Sequence, residues 1–331
     1  MTSRSSIFSF DTLKIPREIP KATLFALALV GLSELGVRAM MASGKLEEDV
    51  SLRKTLVRRI DTITQEKPPI WFLGNSTLDW GVDENLLSEL LGRKVIKLAH
   101  GSATVNASAA MLDFYISQTG QKPERVVVTL TKDDINRNGF RAERSQTYLD
   151  LARDDKLPFA EPIMLRRARA NIRDGAVDSL MALKGKPPQA TKVIKAYDGR
   201  PLTEKSTLEI SLLKDFDLAT DWFAELKSAC ARNGLPAPVV VLMPTTDQYG
   251  AFHDQFVGES KPTYEQVHAQ IVSAIEKNGL ICVDFSVPAR GQSEYAKFRD
   301  PYHLRPEGEK WFTRQLAGKL TPLLPATQPS N

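Results

Sequence analysis

Cysteine and histidine are scarce in this sequence, and those present are not spaced as metal ligands. The 331 residues include 2 cysteines and 4 histidines. Cys230 and Cys282 form no CxxC pair, which excludes a thiol-ligated zinc site and a disulfide framework; they are either two buried thiols or one bridge. No HExxH pattern occurs. The sequence therefore predicts no catalytic metal.

Nucleotide-binding and nucleic-acid-binding patterns are also missing. No GxxxxGK[ST] or GxGxxG motif follows an apolar run, which argues against a phosphate-binding or nucleotide-binding protein. The net charge of +4 is modest, and aromatic residues do not interleave with the basic ones. No internal repeat is evident. We predict no cofactor and no nucleic-acid partner.

The N-terminal part of the chain has the pattern of a membrane anchor. Residues 1–21 are polar and rich in Lys and Arg, and residues 22–41 are mostly apolar. Glu34 interrupts the apolar run, but Arg38 follows four residues later on the same helical face, where the two can pair. A cleaved signal peptide is disfavoured because no clean small-x-small site follows the run, and a buried amphipathic helix is a third alternative.

The favoured interpretation is a single-pass anchor in the inner membrane, with residues 1–21 as a cytoplasmic tail and the rest of the chain in the periplasm. Residues 45–67 carry leucine and isoleucine at helical spacing, which predicts a helix connecting the anchor to the domain that follows.

The remaining residues, 68–325, predict one α/β domain. Five apolar runs rich in β-branched residues alternate with helical patterns, which predicts a parallel sheet covered on both faces. The runs are residues 70–73, 94–98, 125–130, 238–243 and 280–284. Residues of about 140–206 fit no strand and contain one basic helical stretch and a linker rich in Lys, Gly and Pro, so we expect an inserted flap over the site.

Ser76 comes where the first apolar run ends, in the sequence Leu-Gly-Asn-Ser. The carboxyl ends of parallel strands are where ligands bind in open α/β sheets, although a serine there is more often a turn or N-cap residue. A serine hydroxyl becomes a nucleophile when a base takes its proton and a third group orients that base. Asp300 and His303 can converge in a tight loop before the last helix and would supply both groups.

The order of these residues resembles the SGNH/GDSL hydrolase superfamily. The resemblance rests on Ser76, Gly101, the polar block 131–134, and Asp300 with His303. Three short motifs are most similar to those of membrane-anchored members linked with exopolysaccharide acyl-group chemistry. They are Leu-Gly-Asn-Ser, Asp-Pro-Tyr-His-Leu and Pro-Glu-Gly. The resemblance covers residues 69–320 with a divergent middle. It implies a flavodoxin-like three-layer sandwich with a five-stranded parallel sheet.

The resemblance assigns nucleophile, base and orienting acid to Ser76, His303 and Asp300. It also assigns three donors to the oxyanion hole, which are the backbone N–H groups of Ser76 and Gly101 and a side chain at position 133. Two departures stand out: the family has asparagine where this chain has Asp133, and commonly aspartate where it has Asn75. An ionised carboxylate accepts hydrogen bonds and would repel an oxyanion.

Further candidates line the same loops or lie in the flap. Asn75, His100 and Asn136 are expected at the pocket. Three arginines fall on one face of the basic helix, which is either an ordinary solvated surface or a contact for an anionic polysaccharide or lipid head groups. They are Arg166, Arg169 and Arg173.

The function that the resemblance implies is a membrane-anchored serine esterase or O-acyltransferase acting on acyl groups, above all acetyl, of a cell-surface polysaccharide. Its expected partners are membrane lipid, the polysaccharide, and membrane-bound acyltransferase or polysaccharide export proteins. The alternative is a catalytically weak or inactive relative that binds polysaccharide or scaffolds an exopolysaccharide assembly, and Asp133 favours this alternative.

Overall fold

The computed structural model describes residues 31–33, 35–36, 52–155, 197–199, 213–286 and 290–324. Nearly all of them belong to one compact unit formed by residues 55–158 and 192–331. The predicted tail, most of the predicted anchor at 22–41, and residues 156–196 and 200–206 of the predicted flap lie outside the described residues. Within the described ranges, no helix combines the length and apolar character that crossing a bilayer requires.

The described unit alternates strands and helices as the sequence predicts. In chain order its elements are α1 Leu52–Glu66, β1 Ile70–Gly74, α2 Ser76–Gly81, α3 Glu84–Leu91, β2 Val95–Ala99, α4 Val105–Thr119, β3 Arg125–Leu130, a 3-10 turn Lys132–Ile135, α5 Phe140–Asp154, α6 Trp222–Arg232, β4 Val239–Leu242, α7 Asp247–Phe256, α8 Tyr264–Lys277, β5 Ile281–Asp284, α9 Gln292–Tyr295 and α10 Pro306–Leu320.

The five strands form one parallel sheet in the order β2-β1-β3-β4-β5, so the predicted five-stranded parallel α/β fold is confirmed. This is the flavodoxin-like order. The chain leaves β1 toward β2 on one side and then returns to form β3 on the other side. Such a reversal opens a crevice at the carboxyl ends of β1 and β3, where ligands bind in sheets of this type. Ser76 follows β1 and therefore lies at this crevice.

Strand β1 is buried on both faces, which explains its unbroken apolar run. Ile70 and Phe72 pack into a core cluster with Leu78, Phe312 and residues of α3. Successive strand side chains point to opposite faces, so Trp71 and Leu73 lie on the other face of the sheet. Helix α4 packs against β1 and β3. Helices thus cover both faces of the sheet, as the three-layer prediction requires.

The last residue of β1 is Gly74, and the sheet leaves no room for a side chain at this position. A Cβ at this position would lie 2.3 Å from Thr129 Oγ1 and 3.2 Å from Leu78 Cβ. Contacts at such distances force backbone shifts in a packed core. The glycine before Asn75 and Ser76 therefore lets β3 and α2 approach the end of β1 closely.

The first part of the predicted flap belongs to the packed domain. Residues 140–154 form α5, and this helix packs against α4. Helix α1 occupies most of the connecting segment that we predict at 45–67, and it buries Leu56 and Ile63. Cys230 and Cys282 are free thiols, which excludes the alternative of a disulfide bridge between them.

Candidate active site

Asn75, not Ser76, caps helix α2. The Asn75 side chain accepts the N–H of Thr77 at 2.9 Å, and Ser76 is the first residue of the helix. The interpretation of Ser76 as an N-cap serine is therefore wrong. Because Asn75 is the cap, the Ser76 hydroxyl is not needed to accept a backbone N–H of the helix. The hydroxyl is therefore available to a base from another loop.

The Asn75 side chain also ties three loops together from a fully buried position. Its Nδ2 donates to Asp134 Oδ1 at 2.5 Å and to the Ala103 carbonyl at 3.2 Å. Its Oδ1 accepts from Thr77 N and Oγ1. An amide supplies two donors and one acceptor oxygen, and all are used here. The loops after β1, β2 and β3 are consequently held to one another.

The structure brings Ser76, His303 and Asp300 into one hydrogen-bonded chain. Ser76 Oγ lies 2.9 Å from His303 Nε2, and His303 Nδ1 lies 2.8 Å from Asp300 Oδ2. A carboxylate only accepts hydrogen bonds, so Nδ1 carries the proton and Nε2 presents its lone pair to the serine hydroxyl. This is the tautomer that a histidine base requires.

The turn from Asp300 to His303 is fixed by backbone contacts. Asp300 Oδ1 accepts the N–H groups of Tyr302 and His303 at 3.1 and 2.9 Å. Burial acts to raise the pKa of Asp300, but these bonds and the partnership with His303 outweigh it and lower that pKa. Thr246 N donates to the Pro301 carbonyl at 2.8 Å, which attaches the turn to the loop after β4. The carboxylate thus remains ionised and in place.

The backbone N–H groups of Ser76 and Gly101 are held at the same edge of the sheet. Gly74 and Ala99 are register partners, so Ser76 and Gly101 each lie two residues beyond a paired position of neighbouring strands. Neither N–H has a hydrogen-bond acceptor within the described ranges. Two such free donors at a strand end are what an oxyanion hole needs.

Both donor peptide groups are anchored through their carbonyls. The Asn75 carbonyl, in the same peptide group as the Ser76 N–H, accepts from Leu78 and Asp79 N at 3.0 and 3.1 Å. The His100 carbonyl, in the same peptide group as the Gly101 N–H, accepts from Ala103 N at 2.9 Å. Because a peptide group is planar, fixing the carbonyl fixes the direction of the N–H.

Helix α5 adds side-chain contacts to the Gly101 loop. Tyr148 Oη donates to the Gly101 carbonyl at 3.1 Å, and Ser145 Oγ donates to the Ser102 carbonyl at 2.9 Å. Ser102 has a φ of +65°, in the left-handed region that non-glycine residues seldom adopt. The loop therefore keeps an unfavourable backbone conformation with the support of α5.

Asp133 is held as an ionised acceptor. Its carboxylate accepts from Lys132 Nζ at 2.6 Å and from Tyr249 Oη at 2.6 Å. Burial acts to raise the pKa of Asp133, but the positive charges of Lys132 and Arg141 hold it well below its usual range. In that state the side chain has no proton to donate to an oxyanion. The sequence predicted this conflict, and the contacts explain how the acidic residue is accommodated.

The neighbouring Asp134 forms a buried ion pair with Arg141 of α5. Its Oδ2 also accepts from Thr131 N at 2.6 Å, in a capping box that closes the 3-10 turn. Together with the bond from Asn75, these contacts tie α5 to the ends of β1 and β3. The pattern Thr-x-x-Asp at the end of β3 is a capping signal that could have identified Asp134 from the sequence.

His100 and Asn136, expected at the pocket, have structural contacts. The buried His100 lies 3.4 Å from Arg59 Nη1 through Nδ1 and 3.2 Å from Tyr115 Oη through Nε2. Burial lowers the pKa of His100 well below its usual value, and the charge of Arg59 adds to this effect. The Asn136 amide oxygen accepts from Asp217 N at 3.1 Å. The described contacts of these two residues do not include Ser76 or His303.

A second Ser-His-Asp group lies at the end of β5. Ser286 Oγ and Asp284 Oδ2 lie 2.7 and 2.9 Å from His268 Nε2. Both partners contact the same ring nitrogen, so the imidazole cannot take a proton from the serine while the carboxylate orients its other nitrogen. Hydrogen bonding to Asp284 raises the pKa of His268. This group lacks the geometry of a proton relay.

Nothing in the described ranges groups three or more His, Cys, Asp or Glu side chains closely enough to bind a metal ion. The flap arginines Arg166, Arg169 and Arg173 lie outside the described residues, so their contact with polysaccharide stays a prediction.

Comparison with known proteins gives matches among solved structures alone. The sequence matches no protein-family model and none of the curated proteins. Est24, a carbohydrate acetylesterase from Sinorhizobium meliloti, is 10% identical, with 77% of this chain and 99% of that chain covered and a TM-score of 0.38. A GDSL-like lipase from Bacteroides thetaiotaomicron VPI-5482 is 11% identical, with 81% and 98% covered and a TM-score of 0.38. At such low identities and TM-scores, the likeness assigns neither a family nor an activity to this chain.

Aspartate at position 75 should destabilise this protein, although it is common in the family that the sequence resembles. In Asn75→Asp, an oxygen replaces the Nδ2 donor and faces the Asp134 carboxylate and the Ala103 carbonyl. We expect a loss of about 2–5 kcal/mol of unfolding free energy in urea titrations at neutral pH.

Asn106→Asp is the matched control. Asn106 lies in the first turn of α4 and accepts from Thr104 Oγ1 and Ala107 N through its oxygen, so aspartate is compatible there. Adding Asp134→Asn to Asn75→Asp should recover part of the loss. Equal stability of Asn75→Asp and the wild type would contradict the assigned role of Asn75.

Proposed function

We propose that this chain is an SGNH-type serine esterase or O-acyltransferase in which Ser76 Oγ attacks an ester carbonyl. The single observation that carries the proposal is the chain of contacts from Ser76 Oγ to His303 Nε2 at 2.9 Å and from His303 Nδ1 to Asp300 Oδ2 at 2.8 Å. A neutral imidazole poised on a serine hydroxyl and oriented by a carboxylate is the arrangement that activates serine for acyl transfer.

In this mechanism, His303 takes the hydroxyl proton as Ser76 Oγ bonds to the carbonyl carbon. The carbonyl electron pair moves to the oxygen, which becomes an oxyanion. His303 then gives the proton to the leaving alkoxide, and an acyl-serine remains. Asp300 stays ionised and stabilises the imidazolium, in agreement with its lowered pKa.

Two backbone donors would stabilise the oxyanion, the N–H groups of Ser76 and Gly101. Their peptide groups are anchored before any substrate binds, so no reorganisation is needed when charge develops. The ionised Asp133 supplies no third donor. The hole in this proposal therefore consists of main-chain groups.

Water or a sugar hydroxyl would accept the acyl group, which distinguishes an esterase from a transferase. We further propose, from the sequence resemblance, that acetyl groups of a cell-surface polysaccharide are the substrate. In the same proposal, residues 22–41 anchor the chain in the inner membrane, the domain is periplasmic, and membrane-bound acyltransferase or export proteins are partners.

Release of the full chain from membranes by alkaline carbonate would contradict the anchor.

A catalytically inactive polysaccharide-binding or scaffolding protein is the second candidate. Asp133 favours it because a carboxylate at the third oxyanion position removes a donor. The hydrogen bond between Ser76 and His303 favours the enzyme, since a scaffold has no need of a base on a serine hydroxyl. Labelling of the serine decides between the two candidates.

Ser76 of the full-length chain should react with a fluorophosphonate probe, and mass spectrometry should locate the adduct on this residue. We expect no adduct in Ser76→Ala and a rate lower by on the order of 10⁴-fold in His303→Ala, because the base is then missing.

Ser286→Ala provides the matched control, because Ser286 also contacts a histidine and an aspartate but lacks the relay geometry. It should label at Ser76 as fast as the wild type. Absence of labelling at Ser76 in the wild type would favour the scaffold.

Protonation of Asp133 should have no effect on the acid limb of the pH–rate profile. Because the pKa of Asp133 is lowered in the folded protein, its carboxyl stays ionised at every pH above the unfolded-state pKa of about 3.9. Its pairing with Lys132 is lost only when the pH falls through the lowered, folded-state pKa. On a neutral aryl acetate at pH 5 to 8, Asp133→Asn and the wild type should therefore have acid limbs of the same shape. A wild-type rate that rises toward acid, with no such rise in Asp133→Asn, would show that protonated Asp133 is the donor.

A further inference from the structure

Beside the proposed nucleophile, Arg299 is fixed on the ring of Trp80. Its guanidinium carbon lies 4.0 Å from the centre of the indole ring. Trp80 is 37% exposed, and about a third of the Arg299 side chain is exposed. Stacking on an aromatic ring holds a guanidinium flat and leaves the N–H groups at its edge pointing outward. The pair is thus an ordered cation at the surface.

The Arg299 guanidinium has unused donors. Its nearest acidic neighbour in the described ranges is Asp300, with Nε 3.8 Å from Oδ2, which is beyond hydrogen-bond distance. Asp300 already accepts from His303 Nδ1 and from two backbone N–H groups. No described residue accepts a hydrogen bond from the Arg299 side chain. Among the described residues, a cation with five N–H donors is therefore presented without an acceptor.

The position of this cation relates it to the reaction. Ser76 and Trp80 are four residues apart in α2, so they share a helix face with Cβ atoms about 5–6 Å apart. On its other side, Arg299 precedes Asp300 in the chain. A group bonded to Arg299 would consequently lie close to an ester that is attacked by Ser76.

We infer that Arg299, held by Trp80, binds a carboxylate of the substrate and selects acyl esters of acidic sugars, those that carry a uronic acid or a similar carboxyl group. This inference rests on the proposed function and adds the substrate class to it. The planar fork of a guanidinium matches the two oxygens of a carboxylate, whereas a neutral sugar hydroxyl offers a single weaker acceptor. Arg299 is a specificity residue in this account and takes no part in the proton transfers.

Binding by the full-length Ser76→Ala protein tests the inference without turnover. The probes are trigalacturonate, which carries carboxylates, and its methyl-esterified form, which is neutral, and calorimetry gives both Kd values. We expect tighter binding of trigalacturonate. Adding Arg299→Gln should weaken trigalacturonate binding by about 10-fold to 100-fold and lower the ratio of the two affinities by the same factor. It should also reduce the salt dependence of trigalacturonate binding.

Two further variants separate a specific contact from bulk charge and from misfolding. Arg314→Gln removes one exposed positive charge on α10 and should leave both Kd values unchanged. Arg299→Lys keeps the charge without the fork and should retain part of the preference. Equal affinity for the two probes, or an equal loss of preference in Arg314→Gln, would overturn the inference.

The alternative role of Arg299 is electrostatic support of Asp300 and His303. In that case, Arg299→Gln in the chain with native Ser76 would slow hydrolysis of a neutral aryl acetate and leave the ratio of the two probe affinities unchanged, and the inference would fail. Failure of the proposed function looks different: Ser76 would not label with a fluorophosphonate, while the binding preference through Arg299 would stand.

Discussion

The candidate site depends on one buried amide, the side chain of Asn75. Its hydrogen bonds join the loops that follow β1, β2 and β3. A buried polar group is costly unless each donor and acceptor is satisfied, and Asn75 is satisfied only when all three loops are in place. The positions of Ser76 and Gly101 therefore follow from the same contacts that stabilise the sheet edge.

The sheet supplies the rigidity that this edge needs. The register between β1 and β2 places Ser76 and Gly101 at matching positions, and the close approach of Thr129 to Gly74 brings the end of β3 beside them. Two aspartates then follow β3 with different partners. Asp134 pairs with Arg141, and Asp133 pairs with Lys132 and Tyr249. Both of these aspartates are thus paired with a positive charge, which limits their effect on the site.

Much of the fold could be predicted from the sequence because its signals are local. The β-branched runs and helical spacings gave five strands with bounds correct to within one or two residues and a parallel sheet. The Asp-x-x-His spacing could be recognised because a tight turn alone brings residues 300 and 303 together. A strand end followed by Gly-Asn-Ser likewise predicted where Ser76 would lie.

Contacts between distant segments that the resemblance does not cover were decided by the tertiary structure alone. The resemblance paired His303 with Ser76 across 227 positions, but no pattern in the sequence pairs Tyr249 with Asp133 across 116 positions. The sequence determined that residue 133 is a carboxylate and that Trp80 is a large aromatic after the nucleophile. Burial and neighbouring charges decided that this carboxylate stays ionised, and packing decided that Arg299 stacks on Trp80. The physical reason is that pKa values and side-chain contacts depend on the distances between atoms, which chain order alone does not fix.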